Sequence, residues 1–128
     1  MNKVIVRLKT SSIKAAEIFY CRELELFEFY QDYGMETISL IAKDNSSFIL
    51  LLTTGNLSDT DEYLFELEVN DCTATFDKLK QKEFETTGRL ISAAVFEYPL
   101  GKSIAFKDPS NNKFLLFEAY NPNLSDYE

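Results

Sequence analysis

Apolar and polar residues alternate in two short segments, residues 4–9 and 63–69. In each segment every second side chain is apolar: Val4, Val6 and Leu8 in the first, and Phe65, Leu67 and Val69 in the second. Alternation with a period of two predicts β-strands with one buried face. The two segments are separated by an offset of 59 residues.

Each predicted strand leads into a predicted helix. Ser12 and Asp71 are placed to act as N-caps, because their side-chain oxygens can accept from the first free backbone N–H groups. Apolar residues then recur at the spacing of one helix face. They are Ile13, Ala16 and Tyr20 in the first helix, and Cys72, Phe76 and Leu79 in the second.

A longer internal match follows the helices. Residues 39–52 and 103–116 align at an offset of 64 with six identities in fourteen positions. Both read as a strand, a polar turn and an apolar strand, which is the pattern of a β-hairpin. Residues 25–33 and 86–98 each add one more strand, the second with a loop, so the sequence predicts a βαβββ module in each half.

The predicted organisation is a single domain of class α+β built from two such modules. The first module spans 1–55, a polar linker spans 56–62, the second module spans 63–120, and a short acidic tail spans 121–128. Neither half contains enough apolar residues for a core of its own. We therefore expect a cupped, partly open, eight-stranded mixed sheet with its helices on the outer face and a cleft on the other face.

Composition narrows the class of function. Hydrophobic residues make up 45% and charged residues 27%, which is typical of a globular domain. No apolar run approaches the ~18 residues of a membrane span, and charge interrupts the N-terminal segment too early for a signal peptide. We therefore expect a cytoplasmic protein. The net charge of −8 argues against a nucleic-acid partner; an acidic surface confers solubility or favours a cationic ligand.

The chain contains no histidine. Its absence excludes Ser-His-Asp and Cys-His nucleophile systems and imidazole-bearing zinc or iron sites. The four glycines lie too far apart for a phosphate-binding loop. The two cysteines, Cys21 and Cys72, are too far apart for a CxxC motif, so we expect reduced packing residues.

Three short motifs accompany the repeat: Ala16-x-x-Phe19-Tyr20, Pro99-x-Gly101, and the turn Asp108-Pro109-Ser110-Asn111-Asn112. With these landmarks the chain, over about residues 3–120, resembles the vicinal oxygen chelate superfamily. This superfamily includes glyoxalase I, bleomycin-resistance proteins, extradiol dioxygenases and fosfomycin-resistance enzymes. Asn111 stands where the family usually has glycine, so we expect a left-handed backbone conformation there.

The resemblance implies a divalent-metal site with His, Gln or Glu ligands on the inner strands. The corresponding positions in this chain are all aliphatic: Ile5, Leu51, Leu64 and Leu115. Aliphatic side chains have no donor atoms for a metal ion. We therefore expect no metal and no other cofactor, and none of the isomerisation, dioxygenation or epoxide opening that depends on the metal.

Strand alternation places further side chains on the cleft face beside those four positions. They are Arg7, Ile49, Thr53, Glu66 and Phe117. Tyr98, directly before Pro99, is expected near the cleft mouth. Arg7 and Glu66 are equivalent in the repeat, and we expect a direct ion pair between them. Recognition of a polar ligand by the two charges and acid–base catalysis by Glu66 are the alternatives.

The function that follows is metal-free binding of a small organic molecule, cationic or aromatic, without its transformation. Bleomycin-resistance proteins suggest this role and its link to antibiotic resistance. One alternative is a metal-independent enzyme, of lyase or isomerase type, that uses Arg7 and Glu66; we favour a protein without enzymatic activity. Another is a structural or regulatory interaction module whose cleft is filled by side chains. The resemblance also implies a homodimer, with clefts that often form across the dimer.

Overall fold

The computed structural model describes residues 2–120, and its elements follow the predicted order. The first half contains β1 (Val4–Thr10), α1 (Ile13–Glu17) with a π-helical continuation (Ile18–Glu23), β2 (Phe27–Gly34), β3 (Thr37–Ala42) and β4 (Asn45–Thr54). The second half contains β5 (Tyr63–Glu68), α2 (Cys72–Lys80), β6 (Arg89–Leu90), β7 (Phe96–Tyr98), β8 (Gly101–Lys107) and β9 (Lys113–Ala119). The predicted acidic tail, 121–128, lies outside the described residues. Neither helix in the described range has the length and apolar character that crossing a membrane requires.

The two halves share one strand topology, as the repeat predicts. The strand order is β1-β4-β3-β2 in the first sheet and β5-β9-β8-β6 in the second, where β7 also pairs with β8. The pairs β1–β4 and β5–β9 are parallel, and the other pairs are antiparallel. The mixed α+β architecture is therefore confirmed. Its nine strands form two sheets of four and five, where one sheet of eight strands was expected. The ninth strand arises because the strand predicted over 86–98 is split into β6 and β7.

Strand register tests the repeat residue by residue. The pair Arg7–Leu51 of β1 and β4 is equivalent to the pair Glu66–Leu115 of β5 and β9. The pair Ile38–Leu52 of β3 and β4 is equivalent to the pair Ile104–Leu116 of β8 and β9. The first equivalence reproduces the predicted offsets of 59 and 64. The second gives an offset of 66 between β3 and β8, so the sequence alignment of these two strands is wrong by two residues. The predicted faces survive, because two residues are one full period of a strand.

Both predicted N-caps are confirmed. Ser12 Oγ accepts from the backbone N–H of Ala15 at 3.1 Å, and Asp71 Oδ1 accepts from that of Ala74 at 2.9 Å. After Glu17 the first helix widens into π-helical turns, which the apolar spacing does not predict. The widened segment buries both Phe19 and Tyr20 completely.

One aromatic core joins the two sheets. The ring of Tyr20 lies 5.6 Å from that of Phe27 in the first sheet and 5.6 Å from that of Phe114 in the second. Phe48 and Phe65, one from each sheet, also lie 5.6 Å apart. Because one tyrosine ring reaches both sheets, the sheets turn their helix-side faces toward a common core. The opposite faces hold the predicted cleft positions and point away from that core, so from here on we call them the outer faces of the two sheets. The helices lie on the core side and not on these outer faces.

The turn between β8 and β9 is fastened to the first helical segment by a buried carboxylate. Tyr20 Oη donates to Asp108 Oδ2 at 2.9 Å, and the backbone N–H groups of Ser110 and Asn112 donate to Asp108 Oδ1 at 2.8 and 2.9 Å. Burial raises the pKa of Asp108, although these hydrogen bonds oppose the shift. Asn111 has a φ of 64°, which confirms the predicted left-handed position.

Both cysteines are free thiols, as predicted. Burial is the main cause that raises the pKa of Cys21 and of Cys72 to about 11. A thiol with so high a pKa is almost entirely protonated at neutral pH and is a poor nucleophile. The two residues act in packing.

The two-residue loop between β2 and β3 is strained, and relieving the strain should stabilise the protein. Met35 and Glu36 have φ values of 53° and 54°, which cost about 1 kcal/mol each for side chains of this kind. Asn-Gly is the preferred pair at such positions. We expect Met35→Asn with Glu36→Gly to raise the free energy of unfolding by about 1 kcal/mol in urea denaturation. An unchanged or lower value would contradict the strained turn.

Candidate functional site

The predicted cleft residues lie on the outer faces of the two sheets. Ile5 and Arg7 of β1 pair with Ile49 and Leu51 of β4. Glu66 of β5 pairs with Leu115 of β9. The same alternation places Thr53 on the first outer face and Leu64, Phe117 and Tyr98 on the second. The residues predicted to line one cleft are therefore divided between the outer faces of the two sheets.

Both outer faces are apolar and open at their strand edges. Ile5 is 55% exposed and Leu64, its equivalent in the repeat, is 39% exposed. Leu51 and Leu115 are half-buried, and Ile49 is buried. The aliphatic side chains at these edges form exposed apolar surface that a bound molecule could cover.

The predicted ion pair between Arg7 and Glu66 is wrong. Within residues 2–120 the four salt bridges join other groups, with Glu25, Asp77 and Asp61 as the acids. β1 and β5 are edge strands of separate sheets, and Arg7 and Glu66 are both exposed. Two exposed charges gain little free energy from pairing, so the fold does not bring them together.

Arg7 instead borders a groove of about 370 Å³ beside the linker. Its walls come from β1, the linker and the start of β5, and include Lys9, Leu57, Leu64 and Asn112. Backbone hydrogen bonds hold the linker there, from Gly55 N to Thr10 O at 2.9 Å and from Ser58 N to Ser110 O at 2.8 Å. The sequence did not predict this path, because a polar linker carries no periodic signal.

Aromatic rings and a carboxylate share the second outer face. Tyr98 and Phe96 alternate on β7, and Phe96, which is 60% exposed, pairs with Ser103 next to Phe117. Partial burial, and after it the negative charge of Glu66, raises the pKa of Tyr98. By strand register, Glu66 and Tyr98 lie on the same outer face. The sequence analysis did not place Phe96 on this face. The alternation of aromatic and polar side chains over residues 96–98 could have predicted its position beside Tyr98.

The residues present do not fit the metal that the resembled superfamily binds. Ile5, Leu51, Leu64 and Leu115 offer no donor atoms. Across residues 2–120, no three or more Asp, Glu or Cys side chains converge to hold an ion. Glu118 points to the helix side of its sheet, where Oε1 accepts from the backbone N–H of Cys72 at 2.9 Å.

A metal titration checks this assignment. We expect the dialysed protein to bind Zn²⁺, Ni²⁺ and Mn²⁺ without a tight one-to-one site, because no histidine or converging carboxylates are available. Elemental analysis after dialysis, followed by calorimetric titration, is the measurement. A stoichiometric site that survives dialysis would contradict it and restore metal-dependent chemistry to consideration.

The chain resembles known proteins in its structure and not detectably in its sequence. The sequence matches no protein-family model and no curated protein. The fold is similar to that of UcmS2, with a TM-score of 0.72 and 20% identity over 91% of this chain and 97% of that one. The fold is also similar to that of TnmS3, an antibiotic binding protein from Streptomyces sp. CB03234, with a TM-score of 0.70 and 18% identity over 93% of this chain and 96% of that one. A third similar structure is that of a glyoxalase/bleomycin resistance protein/dioxygenase superfamily member from Sphaerobacter thermophilus. Its TM-score is 0.72, with 17% identity over 92% of this chain and 97% of that one. At this identity the likeness confirms the predicted fold.

Proposed function

We propose that this chain, whose fold is that of the glyoxalase/bleomycin resistance protein/dioxygenase superfamily, is a metal-free protein that binds a small organic molecule without transforming it. One observation carries the proposal. The four positions that correspond to metal ligands hold Ile5, Leu51, Leu64 and Leu115, and their side chains lie on open outer faces. A surface that would otherwise organise a metal centre is apolar here.

Apolar contact would provide the main affinity. Burial of apolar surface contributes roughly 25 cal/mol per Å² removed from water. Ile5 and Leu64 are both partly exposed in the single chain, so a ligand that covers either of them gains this free energy at little cost in rearrangement. Pockets for organic ligands are usually apolar with a few placed polar groups. Arg7 and Glu66, which form no ion pair with each other, would supply such groups.

The second outer face favours an aromatic or cationic ligand. Phe96, Tyr98 and Phe117 offer rings for stacking, and Glu66 lies on the same face. A cation over an aromatic ring is stabilised by about 0.5–2 kcal/mol, depending on how far it is desolvated. The net charge of −8 also concentrates cations at the surface. The antibiotic-binding description of TnmS3 is consistent with a role in sequestering such a compound.

A matched pair of probes tests this assignment. Phenyltrimethylammonium and tert-butylbenzene have the same shape and differ in charge. We expect the cation to shift the NMR signals of residues around Tyr98 and Leu115 more strongly than the neutral compound does. Tyr98→Leu should weaken binding of the cation about fivefold through loss of the ring.

Tyr30→Leu is the matched control, because Tyr30 is an exposed tyrosine of the first sheet. It should leave the affinity for the cation unchanged. If neither compound shifts any signal of the second outer face, or if both variants weaken binding equally, the proposed site is wrong.

A further inference from the structure

We propose that a groove at the end of α2 is a second ligand site, which binds a small organic carboxylate. The groove has a volume of about 520 Å³ and is lined by the C-terminal end of α2, the loop that follows it and β6. Three cations and one acid line it: Lys80, Lys82, Arg89 and Glu83. The proposal goes beyond the proposed function and uses none of the residues to which that function assigns its ligand.

The charge of the groove is opposite to that of the whole chain. Its four charged side chains leave two net positive charges, whereas the chain as a whole carries −8. The long-range field of the protein therefore repels an anion, and a local match of charge is needed to retain one. The groove provides the positive charge for such a match.

Arg89 is the cation of the groove without a carboxylate partner. Lys80 Nζ lies 3.5 Å from Asp77 Oδ1, and Lys82 Nζ lies 3.8 Å from Glu25 Oε2. Arg89 is exposed and takes part in none of the four salt bridges found among the described residues. Its charge is therefore available to an anionic ligand.

The guanidinium of Arg89 is held in place by two backbone carbonyls. Nη1 donates to Thr86 O at 2.5 Å and to Gly88 O at 2.6 Å. A guanidinium has five N–H donors, and these two bonds use the pair on Nη1. The three donors on Nε and Nη2 have no acceptor in the described part of the chain. Because Nε and Nη2 present two parallel N–H groups, this edge can donate to both oxygens of one carboxylate.

The loop that supplies these carbonyls is itself fixed. The carboxylate of Glu23, a buried residue, accepts from the backbone N–H of Glu85 at 2.5 Å and from Thr86 Oγ1. A Cβ atom on Gly88 would lie 2.3 Å from Cδ1 of Phe19, so the loop backbone packs directly on that ring. The guanidinium is therefore preorganised, which lowers the cost of ordering that binding would otherwise carry.

An apolar lining favours an organic anion over an inorganic one. Leu79 is buried, and Phe84 and Leu90 are half-buried, and all three line the groove. A hydrocarbon group laid against these side chains would remove apolar surface from water. A carboxylate attached to that group then has Arg89 as its partner. The groove therefore fits a carboxylate that carries a small aliphatic or aromatic group.

Three probe compounds test the site by NMR titration. Phenylpropionate carries both a ring and a carboxylate, phenylpropanol lacks the charge, and propionate lacks the ring. We expect phenylpropionate to shift the signals of residues 79–90 and to bind about tenfold more tightly than either of the other two compounds. If either of them bound as tightly as phenylpropionate, or if no signal within 79–90 shifted, the proposal would be overturned.

Two substitutions identify the groups that bind the carboxylate. Arg89→Lys keeps the charge but loses the two parallel donors, so it should weaken binding of phenylpropionate about fivefold. Glu83→Gln removes the acid of the groove and should strengthen binding about threefold. Glu62→Gln is the matched control, because it changes the net charge equally at an exposed position directly before β5, on the opposite edge of the second sheet from β6. Unchanged affinity in Arg89→Lys, or an equal gain in Glu83→Gln and Glu62→Gln, would contradict the proposal.

Discussion

Replacing Asp108 by alanine should lower the free energy of unfolding by about 4 kcal/mol. The carboxylate accepts four hydrogen bonds: from Tyr20 Oη, from the backbone N–H groups of Ser110 and Asn112, and from Asn112 Nδ2 at 2.9 Å. Each buried donor left without an acceptor costs about 1–3 kcal/mol, partly offset because the desolvated charge is removed as well. Urea denaturation at neutral pH measures the change.

Asp108→Asn is the matched control. Its amide oxygen keeps the two backbone donors, and its amide nitrogen replaces Oδ2, which accepts from Tyr20 Oη and Asn112 Nδ2. The nitrogen can donate to the tyrosine hydroxyl but cannot accept from the Asn112 amide. We expect about half the loss of the alanine variant. If Asp108→Ala lost less than about 1 kcal/mol, the carboxylate would not be what fastens the turn to the first helical segment.

The stability difference between the wild type and Asp108→Asn should depend on pH. Burial raises the pKa of Asp108 in the folded protein above its ordinary 3.8. The folded protein then takes up this proton at a higher pH than the unfolded chain does. As the pH falls through the raised pKa toward 3.8, the wild type should gain stability relative to Asp108→Asn. A stability difference that stays constant or shrinks as the pH falls would contradict the direction of the shift.

Phe114→Ala is the second large effect, an expected loss of about 4 kcal/mol. Phe114 is completely buried, and its ring is stacked on Phe65 at 4.8 Å and on Phe106 at 5.5 Å. It also packs against Phe19 and Tyr20 of the π-helical segment. Its truncation leaves a cavity where the first helical segment meets the second sheet.

Thermal and urea denaturation of Phe114→Ala, Phe114→Leu and Phe96→Ala tests this role. Leucine fills part of the cavity, so we expect it to recover about half of the loss. Phe96 is 60% exposed, and its truncation should cost less than about 1 kcal/mol. Equal losses for Phe114→Ala and Phe96→Ala would contradict a core that joins the two sheets through Phe114.

Local chemistry made much of the fold predictable. Alternation identified β1 and β5 and the buried side chains of Leu8, Phe65 and Leu67, although Val4 at the start of β1 is 57% exposed. The caps Ser12 and Asp71 marked both helix starts. These signals depend on neighbouring residues, so the sequence carries them directly. Asn111 was likewise predictable, because few residue types tolerate a positive φ.

Features that depend on tertiary arrangement were not predictable in this way. The π-helical turns accompany the burial of Phe19 and Tyr20 in a core shared by both sheets, and residue spacing along the chain does not reveal such a core. The Arg7–Glu66 ion pair was inferred from the repeat, which shows that two positions are equivalent but not how far apart they lie. The groove beside Leu57 depends on the path of the linker, which hydrogen bonds to distant turns determine.

A native mass spectrum of the protein purified from its own host tests the central claim most directly. The measurement retains non-covalent ligands and resolves a bound metal ion from a bound organic molecule by mass. We expect a fraction of the folded chains to carry an organic compound that is lost on denaturation, and none to carry zinc, nickel, manganese or iron. One metal ion per chain would contradict it, because the aliphatic positions Ile5, Leu51, Leu64 and Leu115 could not hold that ion.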